Sequence, residues 1–151
     1  MPQVALETVT PQPVAAVTDR VQIKDIMGAW EPALYQVKAF LAERPDLAAS
    51  GRHVFIYHHP THRDAAMEID FGIEVAKPFE DAGAVKCVST PEGRVAVATH
   101  GGALTGLPQT HMAIHQWCAA NGHAIGGFSW ETYVWGDEPD PVETIVRYLV
   151  R

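Results

Sequence analysis

Basic residues are scarce in this chain: 11 lysines and arginines stand against 18 aspartates and glutamates, a net charge of −7 with the histidines neutral. That balance works against nonspecific binding to nucleic acid or to an anionic membrane surface and mildly favours attraction of cations. There is no helix-turn-helix segment and no basic patch, so the chain is not expected to contact DNA directly. Long apolar runs are missing too. No stretch approaches the ~20 residues that a spanning helix needs, and the opening Met1-Pro2-Gln3-Val4 has no basic segment followed by an apolar one. The expectation is a soluble, cytoplasmic protein with no membrane partner. Cysteine is limited to Cys87 and Cys118, too few for a disulfide framework and without CxxC or CxxH spacing. Both are expected to be free thiols, and no cofactor is expected. The phosphate-cradling and nucleophile signatures GxGxxG, P-loop and GxSxG are absent, as is HExxH.

What is present is one domain's worth of core. With 151 residues, 47% of them hydrophobic, a single domain over 1–151 is the default. Residues 4–21 alternate loosely around Pro11 and Pro13 and read as one opening strand with an irregular start and its body near 14–21. Asp25 is a plausible N-cap for a helix in which Ile26, Trp30, Ala33, Leu34, Val37 and Leu41 hold the spacing of one buried face. Residues 53–59 and the strictly alternating 67–75 predict a hairpin across the polar loop 60–64. Residues 85–89 and 94–100 predict a second strand pair across 90–93. A second helix is expected from Leu107 to Ala120, carrying Leu107, His111, Ile114, His115 and Cys118 on one stripe and stopping at Asn121-Gly122. Strands at 126–135 and 144–150 complete the chain. This order suggests two strand-helix-strand-strand halves forming one antiparallel sheet with both helices on one face, an α+β fold.

Ligand-type residues are densest at His58-His59-Pro60-Thr61-His62-Arg63. They fall on a strand end and a loop with no partner cysteine nearby, so a solvated loop is expected and no metal site. His111 and His115 share an i, i+4 spacing but lie on an apolar stripe, which suits hydrogen-bonded pocket-edge histidines better than metal ligands.

The most informative stretch is Gly126-Gly127-Phe128-Ser129-Trp130-Glu131-Thr132-Tyr133-Val134-Trp135. Strand alternation puts Ser129, Glu131 and Tyr133 on one side and Phe128, Trp130, Thr132 and Val134 on the other. One carboxylate therefore sits among aromatics. It is either a solvated charge on a half-exposed strand or an anion held in an aromatic-lined pocket, where a bound organic cation would stabilise its charged form.

At these residues the chain resembles the gyrase-inhibitor-like (GyrI-like) small-molecule binding family, found as effector-binding domains in multidrug-responsive MerR-type and AraC-type regulators and as stand-alone proteins. The likeness runs from about residue 4 to 150. It rests on Tyr57, Asp70-Phe71-Gly72-Ile73, Ala98-Thr99-His100-Gly101-Gly102, Ile114 to Cys118 with Gly122, Glu131-Thr132-Tyr133, and Glu143-Thr144-Ile145-Val146. The resemblance implies two pseudo-symmetric modules with a ligand groove between the helices and a glutamate at the position of Glu131 that meets cationic or planar aromatic ligands. It points to Trp30, Tyr57, Phe71, His100, His111, Glu131, Tyr133 and Arg147 as ligand-binding positions, with Glu131 the candidate catalytic group. Ala103 stands where the family often has tyrosine, and Arg147 and Leu149 where its last strand often has Tyr and Pro. An inward Arg147 would pair with Glu131 or favour an anionic group.

Three functions follow as expectations. The first is a stand-alone protein, monomer or homodimer, that captures an apolar, planar, cationic small molecule. The second is a hydrolase of strained cyclopropane-bearing genotoxic natural products, with Glu131 as base and His100 as a proton partner. The third is a protein-interaction module of the gyrase-binding kind.

Overall fold

A computed structural model describes residues 3–60, 66–137 and 139–151. The elements in chain order are β1 (Ala5–Val9), β2 (Pro13–Val21), α1 (Ile26–Ala42), β3 (His53–His58), β4 (Met67–Glu74), β5 (Lys86–Ser89), β6 (Gly93–Gly101), α2 (Leu107–Ala120), β7 (Ile125–Val134) and β8 (Glu143–Val150). All eight strands join one antiparallel sheet in the order β1-β6-β8-β7-β3-β4-β2-β5. The expected duplication is visible in that order. β2-α1-β3-β4 and β6-α2-β7-β8 are equivalent modules, joined where β3 pairs with β7.

The opening segment is two strands, not one. Pro13 opens β2, a position that needs no ladder donor from its nitrogen. β1 and β2 lie six strands apart in the sheet order, a separation of ~29 Å if the sheet were flat at ~4.8 Å per strand. The link from Val9 to Pro13 can reach only ~14 Å. The sheet therefore curls until its two ends approach each other. The connections 10–12 and 90–92 are stapled there: Gln12 N donates to Thr90 Oγ1 at 2.9 Å and Thr90 N donates to Gln12 O at 3.0 Å.

The hairpin expected between residues 85–89 and 94–100 does not form. β5 pairs with β2, and the outer edge of β6 is taken by β1. Each module's leading strand thus crosses to the other module, covering an edge that would otherwise expose the ladder of β2 or β6. The loop expected at 60–64 lies largely outside the described residues, as do His62 and Arg63.

The curl gives the sheet two unlike faces. On one, α1 buries Ala33, Leu34 and Val37 against Ala15, Ile69, Phe71 and Ile73, and α2 buries Ile114 and Cys118 against Ala96, Ala98 and Val146. On the other, Val14, Ala16, Val54, Ile56, Val95, Val97 and Trp130 form a third apolar cluster across the concavity. Gly72 permits the tight pairing of β2 with β4, because a Cβ there would lie 2.5 Å from Val14 Cγ1 and 2.6 Å from Ala15 O. α1 packs on β2 and β4 and α2 on β6 and β8. The central strands β3 and β7 are left as the floor between the helices.

Candidate functional site

The floor is built by register. Phe55 lies opposite Glu131, Tyr57 opposite Ser129 and His53 opposite Tyr133, so these six share the helix-facing side. A bulge sets this phase: from Ile125 to Ser129 β7 advances four residues while β8 moves only from Val150 to Tyr148, and Gly127 takes a φ of +91°. From Ser129 onward the alternation is regular, and Trp130 and Thr132 turn to the concave face as expected.

Glu131 is only 3% exposed. Its carboxylate is nonetheless well partnered. The hydroxyls of Tyr57 and Tyr133 donate to Oε1 at 2.5 and 2.8 Å, and Nε2 of His111, reaching down from α2, donates to Oε2 at 2.8 Å. Tyr57 can reach because it is the diagonal cross-strand neighbour of Glu131, and Tyr133 because it is the next residue on the same face. His111 Nδ1 is in turn 2.6 Å from the Tyr148 hydroxyl. Tyr148 lies opposite Ser129 in the β7–β8 register. Ser129 Oγ is 2.8 Å from His59 Nε2, and the ring of His115 meets Tyr148 edge-on at 4.8 Å.

Burial alone would push the Glu131 carboxyl upward. The hydrogen bond and charge of His111, with the two tyrosine hydroxyls, outweigh it and hold the group below its ordinary value. Around it the phenols of Tyr57, Tyr133 and Tyr148 are pushed up, chiefly by burial, and stay protonated. Burial also pushes His59 and His115 down, towards their neutral forms. The result is a fixed anion in an aromatic, largely neutral surround. A carboxylate offers about four acceptor positions, and among the described residues three are occupied. One remains for a ligand or a water.

Beside α1 the same face continues into a hollow of about 710 Å³ lined by Trp30, Leu41, Ile73, His53 and Trp135, with Lys38 of α1 at its wall. His53 packs edge-on against Trp135 at 5.4 Å, and burial lowers its pKa to about 4.

Of the residues singled out in the sequence, Tyr57, His111, Glu131 and Tyr133 come together in one hydrogen-bonded cluster, and Trp30 lines the neighbouring hollow. Phe71 is a core residue, 0% exposed beneath α1 and edge-on to Phe55. His100 bonds to the Ala103 carbonyl and Thr110, and has no bond to the Glu131 cluster. Arg147 lies opposite Trp130, on the concave face, while its neighbour Val146 lies opposite Glu131. The two charges are on different sides of the sheet and form no pair. Ser129 was placed on the Glu131 face and His59 in a solvated loop, and neither they nor Tyr148 were expected as ligand-binding positions. The alternation Val146, Tyr148, Val150 was the signal for Tyr148, since it puts that phenol on the face that Arg147 avoids.

Among the described residues no cluster of metal-ligating side chains is assembled, and no helix is long and apolar enough to cross a membrane. No curated protein matches the chain. Solved structures with the same fold include the C-terminal domain of EcmrR, 18% identical over 100% of this chain and 98% of that one, with a TM-score of 0.74. SAV2435 bound to tetraphenylphosphonium is 15% identical over 99% and 94% of the two chains, with a TM-score of 0.72. A hydrolase encoded by lin2189 from Listeria innocua is 16% identical over 99% and 92%, with a TM-score of 0.67. The profile of the GyrI-like small molecule binding domain matches residues 2–149, and the chain belongs to that family.

Proposed function

We propose that this domain captures a lipophilic organic cation, its charge set against Glu131 and its apolar body in the hollow of Trp30 and Trp135. The observation that carries this reading is a carboxylate buried to 3% exposure and still held in its charged form. A buried anion is costly unless paired, and among the described residues the one ion-pairing neighbour of Glu131 is the imidazole of His111, 25% exposed and charged only when protonated. His111 therefore occupies the position that a ligand cation would take. Aromatic walls add ~0.5–2 kcal/mol of cation–π attraction each. The related SAV2435 has been solved with tetraphenylphosphonium, a cation of this class. Calorimetric titration with tetraphenylphosphonium tests the proposal: binding that is weakened by Glu131→Gln supports it, and binding indifferent to that change sinks it.

A second reading has one specific observation behind it, the unoccupied acceptor position on Glu131 beside two protonated tyrosines. In that reading a water donates a proton to Glu131 while its oxygen bonds to a carbon of a strained cyclopropane, and the electron pair of the broken C–C bond passes into the conjugated carbonyl. Turnover of an activated cyclopropane, lost in Glu131→Gln and retained in Arg147→Met, would favour hydrolysis over capture.

A further inference from the structure

On the concave face, remote from the helices, a cavity of about 390 Å³ opens beneath the crossing connections. Its floor is apolar, made by Val54, Trp130, Ile145 and Val9, and its walls carry Arg147, Arg52, Glu74, Gln12 and several threonines. Arg147 is the unusual member. Its Nη1 donates weakly to Thr132 Oγ1 at 3.3 Å, its Nε is buried without any hydrogen-bond partner, and among the described residues it forms no ion pair. Burial lowers its pKa, and the fields of Glu7 and Glu74 only partly counter this. A guanidinium presents five donors in a planar fork. Here the side chain that carries it is part of the cavity wall.

We propose that this concavity is a second ligand site, taking a small aromatic carboxylate whose anionic end engages the forks of Arg147 and Arg52 and whose flat body lies against Trp130. In the lining two guanidiniums stand against one carboxylate, and Glu7 acts on Arg147 from outside it, so the site takes at most a single negative charge. A doubly charged phosphate would confront Glu74 with no third cation to offset it, and would leave the apolar floor uncovered. A carboxylate matches the fork bidentately, and an aromatic body covers the half-buried Val9 and Ile145 beside the buried Trp130 and Val54. The site is independent of the groove around Glu131, since strand alternation places Trp130 and Arg147 on one side of the sheet and Glu131 and Val146 on the other.

The test uses 1-naphthoate and its uncharged analogue 1-naphthamide, titrated into the isotopically labelled full chain and followed by nuclear magnetic resonance. Naphthoate should shift the Arg147 Nε–H and the Trp130 indole N–H together, and naphthamide should not. Arg147→Met should weaken naphthoate by at least about tenfold, the scale of one charge-assisted hydrogen bond. Arg52→Met, at an exposed position where burial is not at stake, should weaken it severalfold and serves if the first variant does not fold. Equal binding of acid and amide would overturn the proposal, as would shifts confined to His111 and Tyr133, or no shift at Trp130 at millimolar naphthoate.

Discussion

Glutamine at position 131 removes one charge and almost nothing else. The amide oxygen can replace Oε1 and go on accepting from Tyr57 and Tyr133. The amide nitrogen then falls where Oε2 met His111. His111 keeps that contact by accepting at Nε2 and donating from Nδ1 to Tyr148, a swap of tautomer that leaves every partner in place. Stability should change by no more than ~1 kcal/mol, because no buried group loses its partner. Ligand binding should change far more. A cation resting against the carboxylate loses a charge-assisted contact worth ~1.5–3 kcal/mol, below the ~4 kcal/mol Coulomb limit for unit charges ~4 Å apart near a protein surface. That predicts a rise in Kd of about 10- to 150-fold. Calorimetry with tetraphenylphosphonium on both proteins gives the Kd, and thermal melts of the same samples give the stability. An unchanged Kd in a folded Glu131→Gln variant would refute the electrostatic argument. A loss of stability above ~3 kcal/mol would refute the tautomer argument, since it would mean a buried group left unpaired.

Three other outcomes follow from the geometry. Removing the internal competitor by His111→Ala should tighten the same cation about fivefold, from ~1 kcal/mol of released competition, while lowering stability by ~1–3 kcal/mol as Glu131 and Tyr148 lose a partner; weaker binding would show that His111 helps the ligand. Gly72→Ala places a Cβ 2.6 Å from the Ala15 carbonyl oxygen, which cannot move without breaking the β2–β4 pairing. Its urea midpoint should fall by ~1–3 kcal/mol of stability or more, and an unchanged midpoint would contradict that register. His53 has its folded pKa lowered to about 4 from 6.5, so the unfolded chain binds the proton first as pH falls. Stability from this group is complete above pH ~6.5 and is lost between there and ~4, by ~1–2 kcal/mol once the ~3 kcal/mol of the full shift is discounted for partial exposure. Denaturant melts of wild type and His53→Gln at the two ends of that window should diverge by this amount, and parallel curves would refute the burial argument.

What the sequence made legible was whatever local spacing determines. Alternation along β7 split Glu131 and Tyr133 from Trp130 and Thr132, and the αL signal at Asn121-Gly122 placed the end of α2, where Gly122 has a φ of +73°. Lateral position is another matter. Phe71 and Phe55 share a face and one core cluster, yet Phe71 lies on a strand that α1 covers and is 0% exposed, while Phe55, 8% exposed, lies on the strand between the helices. The exchange of β1 and β5 between modules was hidden for a similar reason. Residues 85–89 and 94–100 are individually good strands with turn residues between them, and nothing local reports that a distant β1 claims the edge of β6. Tyr148 needed the β7–β8 register before its alternation could place it beside His111.

The duplicated backbone produces an unsymmetrical site, and the asymmetry has a direction. Both modules present equivalent strands at the central junction, but the first contributes Tyr57 and an apolar wall of Phe55, Trp30 and Ile73. The second contributes the carboxylate of Glu131, the imidazole of His111 and the phenols of Tyr133 and Tyr148. The negative charge is thus concentrated under α2, and under α1 lies apolar area with the cation of Lys38 at its wall. A ligand that satisfies both must be polarised in the same sense, with its cationic end towards α2 and its apolar body towards α1. A small ammonium ion would meet Glu131 and leave the hollow empty, so it would gain little over His111, which already holds that position. An apolar molecule without charge would fill the hollow but leave the Glu131–His111 pair closed. Under the capture we propose, only a ligand carrying both features would displace the histidine and cover the tryptophans, and selectivity for lipophilic cations would follow from that double requirement.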